Sequence, residues 1–134
     1  MVGIEQVAEA VVDARRNAER NGIDNCTFLV GRTEVVLEEL CTEEGERFDV
    51  VVADPPRAGI HRKALAGIVA LGAPTLIYIS CNAETMADDL LVLEASGYDL
   101  RLAQPVEMFP HTPHCEVLTW MSRSSRWSGA CVED

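Results

Sequence analysis

Four residues that could do chemistry stand at the ends of apolar segments that read as strands. Glu5 follows VGI, Asp54 follows VVVA and opens DPPRAG, and Cys81 follows IYIS. Glu116 opens the last apolar segment, after FPHTPHC. The carboxyl ends of parallel strands meet at one edge of a sheet, and an antiparallel last strand would begin at that edge. The pattern therefore predicts a crevice with a thiol and carboxylates, which suits nucleophilic catalysis assisted by a general base.

Cys81 leaves a strand just where a helix begins, in TLIYISCNAETMADDL. The N-terminus of a helix carries a partial positive charge and stabilises a thiolate, so this position favours an activated nucleophile. The alternative is a buried structural thiol, which is the commoner role of a single cysteine. Cys115 is the rival nucleophile. Successive strand residues point to opposite faces, so Cys115 faces away from the crevice if Glu116 faces it.

The two carboxylates that follow strands also have structural explanations. Glu5 ends the strand that reads as the second of a nucleotide-binding fold, where an acid commonly binds ribose hydroxyls, or it is a solvated loop acid. Asp54 could cap the following helix. Two prolines rigidify the loop behind it, however, and a carboxylate at a strand end is well placed to bind the edge of a base. We expect a functional role for both.

Composition excludes several classes of protein. The 134 residues suffice for one domain, and a hydrophobic share of 48% is typical of a globular chain. Five cysteines without a CxxC spacing argue against a disulfide framework or a zinc site and favour a reducing, cytoplasmic location. His111 and His114 have an HxxH spacing, but Pro113 interrupts it and no third ligand is evident, so no metal is expected. No segment has the length and apolarity of a membrane span or a signal peptide.

The net charge of −11 means that the surface repels nucleic acid on average. Basic residues nevertheless cluster just after the paired prolines, as Arg57, Arg62 and Lys63. A second basic group, between residues 15 and 20, is interpreted as an ordinary solvated helix face. A solvated face is also the structural explanation for the first group.

Hydrophobic periodicity predicts strands that alternate with helices. The predicted strands are 2–4, 26–30, 48–53, 76–79, 98–106 and 117–121, and the predicted helices are 6–21, 33–41, 61–71 and 83–96. This order indicates an α/β fold with a mainly parallel sheet. The last two strands have no helix between them and should pair antiparallel. The continuous run FDVVVA is typical of a strand that is covered on both faces.

The beginning of the chain lacks a feature that nucleotide-binding folds have. Such folds open with a strand and a Gly-rich turn, whereas this chain begins in what reads as the second strand. We therefore expect either a fragment or an incomplete cofactor site. The predicted folded unit is 1–122, and the Ser/Arg/Gly-rich segment 123–134 is predicted to be a flexible tail.

Three motifs, DPPRAG, YISCN and FPHTPHCE, in that order, resemble the RNA 5-methyluridine (uracil-C5) methyltransferases. The resemblance covers about residues 2–122 and corresponds to the C-terminal part of the catalytic domain of these enzymes. It implies a Rossmann-like class I methyltransferase sheet, mainly parallel with an antiparallel last strand, that lacks the first strand and the Gly-rich turn. It also implies S-adenosylmethionine as cofactor and tRNA or rRNA as partner.

The resemblance implies a role for each motif residue. Cys81 would be the covalent nucleophile, and Glu116 would be the base. Asp54 would lie between the cofactor and the uracil. Glu5 would bind the ribose hydroxyls of the cofactor, and Arg32 falls where the family contacts adenine.

On the substrate side the resemblance implies Asp54, Arg57 and Asn82. Asp54 could accept the uracil N3–H, which favours uracil over cytosine. The family usually has a proline after SCN, where this chain has Ala83, but Asn82 can still cap the helix. The larger departure is that the Gly-rich CGxG turn of the family is missing, which bears on cofactor binding.

Two other interpretations remain open. An amino-directed nucleic-acid methyltransferase also carries paired prolines, but an aromatic residue usually follows them where this chain has Arg57, and such an enzyme needs no Cys81. A truncated, non-catalytic module of the same fold would lack cofactor binding and act through a partner.

Overall fold

The computed structural model describes residues 1–42, 47–108, 110–112 and 114–124. In these residues the helices are α1 (Ala8–Arg20), α2 (Thr33–Thr42), α3 (Arg62–Leu71) and α4 (Ala83–Ala95). The strands are β1 (Val2–Glu5), β2 (Thr27–Val30), β3 (Val50–Ala53), β4 (Thr75–Ser80), β5 (Tyr98–Val106) and β6 (Glu116–Arg123). Every predicted element is present, with ends that differ by one or two residues.

Local sequence signals explain where α4 begins and ends. The Asn82 side chain accepts a hydrogen bond from the Glu84 amide at 3.1 Å and so caps the first turn. At the other end Gly97 has a φ of 90°, in the left-handed region that glycine adopts without strain. Cys81 therefore lies directly before a capped helix N-terminus, as the sequence predicts.

The strands form two groups rather than one continuous sheet. β1 pairs with β2 in parallel, and a four-stranded sheet has the order β3-β4-β6-β5. β3 and β4 are parallel, whereas β6 lies between β4 and β5 and is antiparallel to both. The antiparallel pairing of the last two strands is confirmed, and every other strand of the four-stranded sheet runs in one direction.

The core lies on one face of the four-stranded sheet. Leu76 and Tyr78 of β4 and Met121 of β6 are fully buried. They form one cluster with side chains from α2, α3 and α4. On the other face Trp120, which pairs across from Ile77, is 45% exposed. One face is thus packed beneath three helices, and the opposite face is more open.

The expectation that FDVVVA is covered on both faces is wrong. β3 begins at Val50, and the side chains of Val50 and Val52 are 48% and 62% exposed. The reason is that side chains alternate along β3, so that Val51 packs against the core whereas Val50 and Val52 lie on the more open face. β3 is also an edge strand, since it does not pair with β1. A cavity of about 770 Å³ is lined by residues of both strands, including Val2 and Ile4.

The division into a folded unit 1–122 and a tail 123–134 stays a prediction, although β6 extends one residue past residue 122. Arg123 is the last residue of β6, and its amide donates to the Pro74 carbonyl at 2.9 Å. Residues 125–134, the greater part of the expected tail, lie outside the described residues. Among the helices described, none combines the length and apolar character needed to cross a membrane.

Candidate active site

Cys81 and Glu116 lie at the same end of two paired strands. Ser80, the last residue of β4, pairs with Val117, the second residue of β6. Cys81 directly follows Ser80, and Glu116 is the first residue of β6, so both lie at this end of the strand pair. Cys81 is half-buried, and the Glu116 carboxylate has no hydrogen-bond partner among the described residues.

The rival thiol has a different environment. Cys115 is exposed, and its Sγ lies 3.3 Å from the carbonyl oxygen of Glu116 and 3.6 Å from that of Val106. These contacts direct the thiol toward the backbone of β5 and β6. They are consistent with the expectation that Cys115 does not share the crevice with Glu116.

Asp54 begins the loop that connects β3 to α3. The cap of α3 is His61, whose Nδ1 accepts from the Lys63 amide at 3.3 Å, so Asp54 is not the cap of that helix. Within the described part of the chain, no hydrogen bond to the Asp54 carboxylate is formed. Its exposed carboxylate at a strand end is available to a ligand.

Arg57 of the same loop contacts the segment that precedes β6. Its Nη2 lies 3.3 Å from Nδ1 of His114. The Arg57 carbonyl accepts from Nδ2 of Asn82 at 3.1 Å. The loop after β3, the start of α4 and the start of β6 therefore converge, and all three motifs of the sequence meet at one edge of the sheet. Arg62 and Lys63 are exposed in the first turn of α3, close in sequence to Arg57.

The three predicted cofactor ligands line one cavity. Glu5, Arg32 and Asp54 all border the cavity of about 770 Å³ between β1 and β3. This volume is within the range of roughly 300–1,000 Å³ that small-molecule sites occupy. These three residues lie at or just after the carboxyl ends of the strands, and most of the remaining wall is formed by apolar residues of β1, β3, α2 and α3. The donor set and the volume fit a ligand with ribose hydroxyls at the polar end.

Glu5 and Arg32 are brought together by the pairing of β1 and β2. The Glu5 carbonyl accepts from the Gly31 amide at 3.0 Å, next to Arg32. The Glu5 carboxylate accepts from the Val7 amide at 2.8 Å, which leaves its second oxygen for a ligand. Arg32 forms an ion pair with Glu34. A hydrogen bond to its own backbone amide, assisted by the charge of Arg32, lowers the pKa of Glu34.

Three polar residues behind the site, Tyr78, Thr85 and Asp89, were not predicted from the sequence. Thr85 Oγ1 donates to the Arg57 carbonyl at 3.0 Å. Asp89 accepts from the Tyr78 hydroxyl at 2.7 Å and from the Ile60 amide at 2.7 Å. The sequence does contain one signal for this role, because Asp89 lies on the same face of α4 as the apolar residues Met86 and Leu93. Among the described residues, no group of three or more His, Cys, Asp or Glu side chains is placed to bind a metal ion.

The family follows from comparison with known proteins. A model described as a methyltransferase domain matches residues 1–106. The chain belongs to this methyltransferase domain family, whose members take their methyl group from S-adenosylmethionine. The α/β fold with mostly parallel strands agrees with this assignment.

More specific relatives are RNA methyltransferases. The chain is 40% identical over 123 residues to an "uncharacterized RNA methyltransferase" of Clostridium tetani and 46% identical over 121 residues to one of Bacillus cereus. These matches cover 92% and 90% of this chain and 26% of each relative. The chain thus spans about a quarter of their length.

One solved structure of known specificity is similar to this chain. It is the Pyrococcus abyssi tRNA (uracil-54, C5)-methyltransferase in complex with S-adenosyl-L-homocysteine. The identity is 32% and the TM-score is 0.75, and the match covers 90% of this chain and 28% of that protein. This agrees with the family resemblance that the three motifs indicate.

Proposed function

We propose that this chain belongs to an enzyme that transfers a methyl group from S-adenosylmethionine to carbon-5 of a uridine in tRNA or rRNA. The observation that carries the proposal is the convergence of Cys81, Glu116 and Asp54 at one edge of the sheet. A thiol and a carboxylate at the same edge of the sheet are what uracil-C5 chemistry needs and amino-directed methylation does not. The names of the relatives support an RNA substrate.

The thiolate of Cys81 begins the reaction. Carbon-5 of uracil is a poor nucleophile, so the Cys81 sulfur adds to carbon-6 and the π electrons move to form an enolate. When bound, S-adenosylmethionine supplies an electrophilic methyl group on its sulfonium. Glu5, Arg32 and Asp54 would hold this cofactor, and its methyl group would go to carbon-5 of the enolate while the sulfur keeps the bonding electrons.

Glu116 completes the reaction as the base. Carbon-5 then carries both a methyl group and a proton, and the Glu116 carboxylate accepts the proton. The electrons of the carbon–hydrogen bond re-form the double bond between carbon-5 and carbon-6 and expel the Cys81 thiolate. The position of Glu116 at the same end of the β4–β6 pair as Cys81 suits this order, since base and nucleophile act on neighbouring carbons.

Asp54 and Arg57 serve the substrate. The Asp54 carboxylate accepts the uracil N3–H, a donor that cytosine lacks at this position. The target base must leave any stack to reach the crevice, as in other enzymes that act on a base. Arg57, with Arg62 and Lys63 nearby, contacts the RNA phosphates despite the net negative charge of the chain.

The test is a comparison of cellular RNA from a strain that lacks the gene with RNA from its parent. Mass mapping of tRNA and rRNA should show the loss of 5-methyluridine at one position, restored by the wild-type gene and not by Cys81→Ala. Loss of a methylated amino group instead would contradict the proposal. The same mapping identifies the RNA and the uridine.

A second candidate is a module that keeps the fold without catalysis. The observation that favours it is the open wall between β1 and β3, which are not paired with each other. Such a module would leave 5-methyluridine unchanged in the deletion strain. Any other phenotype of the deletion strain would then be rescued by the Cys81→Ala gene as well as by the wild-type gene.

A further inference from the structure

One face of α4 contacts the loop after β3 through three polar side chains. Asn82, Thr85 and Asp89 are spaced by three and four residues and so lie on one side of the helix. Nδ2 of Asn82 and Oγ1 of Thr85 both donate to the carbonyl of Arg57, at 3.1 and 3.0 Å. Asp89 Oδ2 accepts from the amide of Ile60 at 2.7 Å. We call these three residues the α4 clamp.

Asp89 is the most unusual member of the α4 clamp, because it is a carboxylate with only 9% exposure. Among the ion pairs formed by described residues, none includes Asp89. A buried charge without a cation is costly unless hydrogen bonds satisfy it. Its two donors are the Ile60 amide and the Tyr78 hydroxyl, each at 2.7 Å. The carboxylate therefore joins α4, β4 and the loop after β3.

The loop backbone is shaped to meet this carboxylate. The Gly59 amide donates to the Pro56 carbonyl at 2.9 Å, which closes a turn, and Gly59 has a φ of 81°. A Cβ at Gly59 would lie only 2.7 Å from Oδ2 of Asp89. The loop thus approaches Asp89 so closely that only glycine fits, which indicates that the contact determines the loop conformation.

The α4 clamp begins one residue after Cys81, and it acts on the loop that carries Asp54. We propose that the α4 clamp consists of positioning residues that fix the loop with Asp54 and Arg57 relative to the Cys81 thiol. It acts through Arg57 and Ile60 and does not touch the reacting atoms. The effect of the α4 clamp on methylation rests on the proposed function. The ordering of the loop by the α4 clamp rests on the contacts alone.

The structural part is tested by hydrogen exchange of the peptide 54–61, measured by mass spectrometry on the native gene product. Thr85→Val removes the hydroxyl and keeps the shape of the side chain. It should speed exchange in this peptide by roughly threefold to tenfold, the effect of losing one ordinary hydrogen bond. Thr85→Ser should restore the wild-type rate. Asp89→Asn should speed exchange at Ile60 by a similar factor, because a neutral oxygen is a weaker acceptor.

The matched control is Thr42→Val, which removes a hydroxyl bonded to the Glu39 carbonyl at 2.7 Å at the far end of α2. It should leave the exchange of peptide 54–61 unchanged. If Thr85→Val behaves like Thr42→Val, the α4 clamp does not order the loop and the inference is overturned.

The catalytic part is tested by uridine methylation with the same variants. Thr85→Val should lower kcat about tenfold and leave KM for RNA within about twofold, with recovery in Thr85→Ser, since misplacement of groups acts on the chemical step. An unchanged kcat together with faster exchange would refute the positioning role. If the wild-type protein methylates no uridine but Thr85→Val still speeds hydrogen exchange in peptide 54–61, the proposed function is wrong. The claim that the α4 clamp orders the loop is then retained.

Discussion

The close approach of Gly59 to Asp89 makes a quantitative prediction about stability. Gly59→Ala forces a left-handed conformation on alanine, which costs about 1–2 kcal/mol. It also places a methyl group 2.7 Å from Oδ2 of Asp89. Displacing that carboxylate breaks its hydrogen bonds with Ile60 and Tyr78, and bonds to a charged group are worth about 1.5–3 kcal/mol each. We expect Gly59→Ala to lower the free energy of unfolding by about 4–8 kcal/mol, the sum of these contributions.

Gly22 supplies the matched control. It has a φ of 65°, and a Cβ there would meet nothing within 4 Å. Gly22→Ala should therefore cost only the conformational part, about 1–2 kcal/mol. The difference between the two variants isolates the contact with Asp89.

Urea denaturation followed by circular dichroism measures both values, provided that the transitions are two-state and the slopes agree. A double-mutant cycle adds a direct check: in an Asp89→Ala background, Gly59→Ala should cost no more than Gly22→Ala. Equal costs for the two glycine variants in the wild-type background would refute the claim that the carboxylate restricts the loop.

Four further predictions concern the site and the core. In the native gene product Cys81→Ala should abolish methylation, whereas Cys115→Ala should retain it; equal losses with folding intact would count against the assignment. Glu116→Gln should accumulate a covalent RNA–protein adduct that survives denaturing electrophoresis, because elimination of the cysteine needs the base. If no adduct forms when RNA and cofactor are present, another group accepts the proton. Burial raises the pKa of both tyrosines, Tyr78 and Tyr98. In denaturant, tyrosinate absorbance should rise near pH 10. In the folded chain it should not rise until the pH is higher. Since the folded pKa values lie above the unfolded ones, this contribution to stability is complete below about pH 10 and is lost as the pH rises further; a normal titration of the native chain would contradict it. Residues 1–134 should bind S-adenosylmethionine more weakly than micromolar and should self-associate through the exposed edge of β3; a monomer with micromolar affinity in isothermal titration and light scattering would contradict this.

The local parts of the fold could be predicted from the sequence. Alternating apolar segments gave every strand and helix, and Asn82 and Gly97 marked the two ends of α4. These features depend on residues close in the chain, where capping and backbone preferences dominate. The meeting of Cys81 and Glu116 at one edge also followed, because strand direction in an α/β sheet is set by connectivity.

Long-range packing could not be predicted in the same way. Nothing local in β6 indicates that it inserts between β4 and β5. The apolar residues Val50 and Val52 predict a covered strand, yet they are exposed because they lie on the more open face of the sheet, opposite the face on which Val51 packs against the core. Asp89 reads as a surface residue, and its burial depends on Tyr78 and Ile60, which are distant in sequence. The α4 clamp is therefore visible only in three dimensions.

The most direct test of the central claim is tritium release from RNA that carries [5-³H]uridine. Methylation at carbon-5 must expel the hydrogen of that carbon, so native gene product with S-adenosylmethionine should release one tritium to water for each methyl group transferred. Cys81→Ala should release none. Transfer of methyl groups to the RNA without release of tritium would place the reaction at another atom and contradict the account.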